Sequence, residues 1–390
     1  MRRTVVSILL ALGWIPLHAA AGLPYHALTE GNTPWHSLQL VRQAPAQPGK
    51  EALLAQLAAV AGDETLSCAN RRRGPALEQH GRWRDALDVL EQAANGRRVV
   101  MLNENHERSR HRAFLLQLVE RLHAQGVRAL AAETFAAEVV ASSAEGGVQT
   151  AAGVYTRDPV FASAVARALQ LGWELVAYEA QTAVGDRQAR EHAQARTLAD
   201  WLQANPARRL LVYVGGSHLD KRADAGWMAA QLMAMTGIEP LSIRQGATAC
   251  PADDPAQWPV PPATGVGAVV DSGREPTAEA DWVVVHLPAA DVEGRPGWLA
   301  ALPGRQPLRL CLPSLPGQEP ALLRVFAGDT SAADVIAADQ FPLLPGQQRV
   351  TAWVAPGVYR IELEDAQGTR RPLGRVEMGA GQGSGCLSPQ

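Results

Sequence analysis

The sequence predicts an α/β fold, a mostly parallel sheet with helices on both faces, followed by a small C-terminal β-sandwich-like domain. Three observations predict it. Short apolar runs of buried-strand type alternate with helical periods between residues 98 and 243, the pattern of βαβ crossovers. Each helical stretch is closed by Gly, Asn-Gly or Asn-Pro, which are helix stops. After residue 304 short runs alternate with Pro-Gly and Gly turns, the spacing of a small sandwich.

The chain of 390 residues opens with Arg2 and Arg3, an apolar run over 5–17 and Ala19-Ala20-Ala21. Charged, apolar and small-residue parts in that order form a secretory signal, with cleavage expected after Ala21. The run is too short to span a bilayer, which needs about 20 apolar residues, and no transmembrane segment is expected elsewhere. A periplasmic or secreted location is therefore expected. Residues 1–21 are read as signal peptide and 22–50, rich in Pro and Gly, as an extended N-terminal arm. The α/β domain is assigned to 51–300 and the β domain to 304–390. A net charge of -3 gives no basic field for nucleic acid.

Helices are expected over 51–61 and 84–94. A strand over 98–102 leads to a helix over 111–125 on which Phe114, Leu118 and Leu122 share a face. Strands over 127–132, 173–178, 210–214 and 240–243 alternate with helices over 158–171, 186–204 and 225–236. Asp186 is placed to cap its helix. Proline-rich residues 247–280 read as loop, and 282–287 as a late edge strand. Short strands are expected over 308–312, 322–326, 349–354 and 358–363. Four cysteines in an exported chain favour disulfides. Of three pairings, Cys68–Cys250 and Cys311–Cys386 are favoured because each stays within one domain.

Ionisable residues gather where the parallel strands end. The first strand runs into Asn103-Glu104-Asn105-His106, the second ends at Glu133, the third at Glu179, and the fourth runs into Gly215-Gly216-Ser217-His218. Ligand crevices of open α/β sheets lie outside those ends. Two imidazoles and three carboxylates are thus expected in one crevice. They suit a His general base oriented by a carboxylate, with Glu104, His106, Glu133, Arg190 and His218 catalytic and Arg190 steadying an oxyanion. They also suit a divalent metal (Zn, Mn or Fe) on His106, Glu133, Glu179 and His218. Tyr178 is a candidate haem ligand beside Glu179. His111 and His192 are read as surface residues and His286 as structural.

Residues 99–106, with Ala132-Glu133-Thr134-Phe135 downstream, resemble the Gly-Glu-x-His and following Glu motifs of the ChaN / erythromycin-esterase-like superfamily. Residues 211–219, Leu-Val-Tyr-Val-Gly-Gly-Ser-His-Leu, are similar to the second Gly-x-x-His of that superfamily and its TraB/TIKI relatives. Arg190 is similar to an arginine of the intervening helix. The resemblance covers residues 84–245 and departs at Asn103, where the family has glycine; Asn tolerates left-handed backbone, so a turn is expected there. The resemblance implies a His-activated hydrolase, as in erythromycin esterases, or a metallopeptidase, as in TIKI proteins. It also implies an exported haem-binding protein, as in ChaN. Three functions are compatible with these residues: a hydrolase of an ester or amide in a small-molecule or peptide substrate; a haem- or metal-binding envelope protein; and an inert module whose C-terminal β domain binds a protein partner.

Overall fold

The computed structural model describes residues 31–69, 82–133, 135–136, 148–179, 186–258, 268–271, 280–314, 319–328, 334–381 and 385–390. The expected signal peptide and residues 22–30 of the expected arm lie outside them.

The α/β fold with a small β unit is present. Parallel strands β2 (Val99–Glu104), β3 (Ala129–Ala132), β4 (Glu174–Ala177), β5 (Leu210–Gly215), β6 (Leu241–Thr248) and β8 (Trp282–His286) form most of the large sheet. Antiparallel β7 (Ala268–Asp271) and β1 (Arg82–Asp85) complete it, in the order β1-β7-β8-β6-β2-β5-β3-β4. The loop expected over 247–280 thus contains a strand, and β8 is an interior strand rather than an edge. Residues 268–271, Ala-Val-Val-Asp, are too short a run to announce themselves among prolines.

Strand alternation assigns each side chain to a face. Val100 and Leu102, Leu130 and Ala132, and Leu211 and Tyr213 turn toward α4 (Ala86–Ala94), α5 (Ser109–Ala124) and α6 (Pro159–Gln170). Val99 and Met101, Ala129 and Ala131, and Leu210, Val212 and Val214 turn toward α7 (Arg187–Ala204) and α8 (Met228–Thr236). Local chemistry sets the helix ends. The Asp158 carboxylate accepts from Val160 N, with Pro159 in the first turn of α6, and the Asp186 carboxylate accepts from Ala189 N to cap α7. Helix α8 stops at Gly237, whose φ of 68° is left-handed.

A short antiparallel pair, β9 (Asp291–Val292) and β10 (Arg295–Pro296), precedes the C-terminal unit. In that unit β11 (Gln306–Cys311) and β14 (Arg349–Val354) pair in one small sheet. Strands β12 (Ala321–Ala327), β13 (Asp339–Leu343), β15 (Gly357–Glu364) and β16 (Arg370–Met378) form another, ordered β13-β12-β15-β16. Leu308, Leu310, Val325, Phe341, Ile361 and Val376 share the core between them. Cysteine pairs Cys68–Cys250 and Cys311–Cys386 are bonded. No helix among the described residues is long and apolar enough to cross a membrane.

The expected extended arm is corrected: Pro34–Gln43 is helix α1. Its prolines and glycines fall at the ends, with Pro34 in the first turn, whereas Trp35, Leu38 and Val41 repeat every three residues and are buried. These side chains pack on Leu53 and Leu57 of α2 (Lys50–Val60) and on Leu322 of β12. The first N–H groups of a helix lack internal partners. Here Trp35 N and His36 N donate to Glu364 Oε1 of β15 at 2.8 and 3.0 Å, while Arg324 Nη1 holds Oε2 at 3.2 Å. Glu364→Ala leaves Arg324 buried without its ion partner and should lower the unfolding free energy by about 3–5 kcal/mol. Urea denaturation measures the loss, and protease cutting within α1 should accompany it; wild-type stability would contradict this anchoring.

Candidate functional site

Four neighbouring strands, β4, β3, β5 and β2, deliver the site. Register puts Glu104 level with Gly215, and Ala132 level with both Tyr213 and Ala177. Glu104 and Glu133 leave the sheet on opposite faces, following the alternation of β2 and β3. Each meets an arginine from the helix layer on its side.

Glu104 faces α5. Arg112 donates from Nε to Glu104 Oε2 at 3.0 Å and from Nη2 to Oε1 at 3.3 Å, and its Nη1 binds Asp158 Oδ2 at 2.7 Å. Asp158 therefore caps α6 and steadies Arg112 together. Burial alone would raise the Glu104 carboxyl, but Arg112 and His106 hold it far below the usual carboxylate range. Glu104 Oε1 lies 2.5 Å from His106 Nδ1. A carboxylate there accepts a hydrogen bond from Nδ1–H, which leaves Nε2 as the ring nitrogen with the lone pair. The imidazole stacks on Tyr155 at 3.9 Å between ring centroids.

Glu133 faces α7. Arg190 Nη2 donates to its Oε1 at 2.7 Å and Gly215 N to its Oε2 at 2.6 Å. Arg190 also grips Glu179, from Nε at 2.9 Å and Nη2 at 2.8 Å, and Gln194 Nε2 donates to Glu179 at 2.9 Å. Burial pushes both carboxyls up. His218, Arg190 and His106 overcome this at Glu133, which is held well below its ordinary value. At Glu179 burial prevails and the carboxyl stays raised.

His218 closes the ring from the short helix Gly216–Leu219 after β5. Its Nδ1 lies 2.8 Å from Glu191 Oε2, an oxygen that also accepts from Met228 N at 2.9 Å. Burial disfavours the imidazolium, yet Glu133 and Glu191 outweigh it and raise the His218 pKa. Both imidazole Nε2 atoms face Glu133, His218 at 3.7 Å and His106 at 4.0 Å. Those separations exceed a direct hydrogen bond, so both nitrogens face one carboxylate without bonding to it.

Glu104, His106, Glu133, Glu179, Arg190 and His218 are thus brought together. Among the described residues no group of three or more His, Cys, Asp or Glu is arranged to hold an ion. The chemistry of the donors explains it. Arg190 and Gly215 N occupy the two Glu133 oxygens, Glu179 is turned to Arg190 and Gln194, and a guanidinium between two carboxylates stands where an ion would need them. Arg190 spends Nε and Nη2 on those carboxylates. Tyr178 is buried and its hydroxyl donates to Tyr213 O at 3.4 Å, so it does not present itself as a haem ligand. Asn103 is corrected too. It sits within β2, its side chain accepting from Gln245 N at 2.5 Å, and Glu293 is the positive-φ non-glycine among the described residues. His192 is exposed and His286 is buried against Gln245 Oε1 at 2.9 Å. His111 is not on the surface: it accepts from Asn105 N at 3.0 Å and meets Thr248 Oγ1 at 2.8 Å, and burial pushes its pKa down to about 3. Sequence reading missed Arg112, Asp158 and Tyr155. Arg112 had a signal, a cation on the apolar helix that follows Glu104 and His106.

Gly215 gives these groups room. A Cβ there would sit 2.8 Å from Glu133 Oε2 and 3.1 Å from His106 Nε2, while its φ of -67° suits any residue. Gly215→Ala should keep the fold and shift the 15N resonances of His106 in histidine-labelled protein, leaving His192 unmoved. Unshifted His106 signals would show that the His106 ring does not lie beside Gly215.

No protein-family model and no curated protein matches this chain. Among solved structures, the type III effector HopBA1 aligns at 14% identity and TM-score 0.37, over 55% of this chain and 98% of its own. A bacterial protein toxin aligns at 15% and TM-score 0.34, over 42% and 37% respectively. RRSP, a MARTX toxin effector domain from Vibrio vulnificus, aligns at 16% and TM-score 0.26, over 44% and 40%. Likeness of this size assigns no activity to the chain.

Proposed function

We propose that this chain is an exported hydrolase of an ester or amide bond, acting through a His-activated water as the ChaN / erythromycin-esterase-like resemblance implies. The observation that carries it is the pair of carboxylate-anchored imidazoles whose Nε2 atoms both face Glu133. His106 is the general base: Glu104 fixes its tautomer and Tyr155 its plane, so Nε2 takes a proton from water as the water oxygen attacks the carbonyl carbon. His218 is the acid. Its imidazolium hydrogen-bonds the developing oxyanion through Nε2–H, then transfers that one proton to the leaving group as the carbonyl re-forms, while His106 keeps the proton taken from water.

The acid role of His218 has a physical source. Glu104 shares its charge with Arg112, whereas Glu191 has no arginine or lysine partner among the described residues and spends its Oε2 on His218 and Met228 N. More of the Glu191 charge is therefore available to hold a proton on His218. Glu133 and Arg190 are positioning residues: the carboxylate keeps both Nε2 atoms turned inward, and the guanidinium keeps the carboxylate charged. Export to the periplasm or beyond belongs to the same reading, and the two disulfides accord with it.

A panel of ester and amide substrates tests the proposal. His106→Ala and His218→Ala should each lower kcat by about 10²–10⁴-fold, with melting temperatures near wild type; full activity in either would overturn it. The pH dependence has a definite sign. His218 has a raised folded pKa, so its acid form persists above the ordinary imidazole value of about 6.5 and is lost as pH rises further. Activity should fall on the alkaline side of that value, and Glu191→Gln should move the fall to lower pH. A fall that Glu191→Gln leaves in place would remove His218 from the acid role.

A further inference from the structure

Residues 105–108 form the turn that carries His106 from β2 to α5. The turn closes on itself, with Arg108 N donating to Asn105 O at 2.9 Å and Glu107 N to Asn105 Oδ1 at 3.0 Å. Arg112 Nη2 holds His106 O at 3.1 Å. Two further supports reach the turn from distant parts of the chain. Asn105 N donates to His111 Nδ1 at 3.0 Å. That nitrogen must carry the lone pair, so the proton of the neutral ring sits on Nε2 and hydrogen-bonds Thr248 Oγ1 at 2.8 Å. Burial pushes the His111 pKa down to about 3, which keeps the ring neutral and the acceptor in place. The second support is Arg108, whose Nη1 donates to Ser67 O.

Both supports adjoin one disulfide. Ser67 precedes Cys68 in α3 (Glu64–Cys68), and Thr248 ends β6 two residues before Cys250. The Cys68–Cys250 bond joins positions 182 apart in sequence. It ties the N-terminal helices to the end of β6 and restrains Ser67 and Thr248 relative to each other. Those are the two points on which the turn rests from outside. The His286 ring, 4.9 Å from that of His111 between centroids, packs beside the imidazole that links Thr248 to the turn. The other bond, Cys311–Cys386, ties β11 to the C-terminal residues inside the β unit.

We propose that the Cys68–Cys250 disulfide is the lock that seats His106, acting through Arg108 on one side and His111 on the other, so that the His–Glu site is completed only once this pair is oxidised. His111 is a positioning residue in this arrangement, since it touches Asn105 N and not the reacting atoms. On oxidation the two thiols form one S–S bond and pass two electrons and two protons to a disulfide oxidant, which leaves as a dithiol. The consequence for activity rests on the reading of His106 as general base, whereas the seating of its ring is measured without substrate.

Cys68→Ser/Cys250→Ser in the full chain removes the bond without leaving an odd thiol, and Cys311→Ser/Cys386→Ser is the control. In histidine-labelled protein the first pair should shift the 15N resonances of His106 and His111 and leave His192 and His218 in place; the control should shift none of them. On an ester or amide that the wild type turns over, kcat should fall about 10–10²-fold with KM near wild type, the scale of a 1 Å misplacement. Thr248→Val keeps both the shape of the side chain and the disulfide while removing the acceptor for His111, so its result stands even where the double variant is destabilised. It should also shift His106. His111→Asn, whose Oδ1 replaces Nδ1 as acceptor for Asn105 N, should hold His106 nearer its wild-type resonances than His111→Leu, which has no acceptor. The lock is overturned if His106 is unshifted in Cys68→Ser/Cys250→Ser or in Thr248→Val, if the control shifts it equally, or if His111→Leu matches His111→Asn. A wild type that turns over no ester or amide overturns the hydrolase reading alone, and the resonances still decide the lock.

Discussion

A carboxylate taken out of water either gathers positive partners or accepts a proton. Glu133 is buried at the carboxyl end of β3 and has gathered four: Arg190, Gly215 N, and the two imidazoles that face it. That one ionised group orders much of what surrounds it. It fixes Arg190 against α7, binds the end of β5 to the end of β3, and has both Nε2 atoms facing it. A neutral side chain there would leave Arg190 charged beside Glu179 alone and would remove the largest influence that raises the His218 pKa.

The fold supplies these partners because the sheet is covered on both faces. Strand alternation sends Glu104 to the α5 layer and Glu133 to the α7 layer. Each histidine follows its strand closely enough to return over the crevice, His106 in the turn after β2 and His218 in the short helix after β5. Tyr155, ahead of α6, supplies the flat surface on which His106 rests. The N-terminal helices complete the wall, since Ser37 of α1 and Gln56, Leu57 and Val60 of α2 line a small cavity with His106 and Tyr155. Their anchorage on Glu364 ties that wall to the β unit.

Much of this was legible in the sequence, for physical reasons. Buried parallel strands are continuous apolar runs, and a polar residue at their end has nowhere to go except the crevice, so Glu104, Glu133, Glu179 and His218 could be placed together. Pairing each cysteine within its own domain gave both disulfides. The rest depended on distance in space. Arg112 and Asp158 look like surface charges until the packing of α5 on α6 buries both. His111 looked exposed because its partner Thr248 is far along the chain. Asn103 suggested a left-handed turn, yet its side chain completes a ladder with Gln245 inside the sheet. Helix α1 was hidden because prolines at its ends masked the spacing of Trp35, Leu38 and Val41. The carboxylates of the metal expectation could be counted, but Arg190, which stands between two of them, could not be placed.

The most direct test needs no substrate. In histidine-labelled protein, an NMR titration reads the protonation of His218 as pH is raised. With Glu133 and Glu191 beside it, His218 should remain imidazolium above the ordinary value of about 6.5, and Glu133→Gln should return its titration toward that value. His218 losing its proton at or below the ordinary value in the wild type, or titrating identically in Glu133→Gln, would contradict the arrangement proposed for this site.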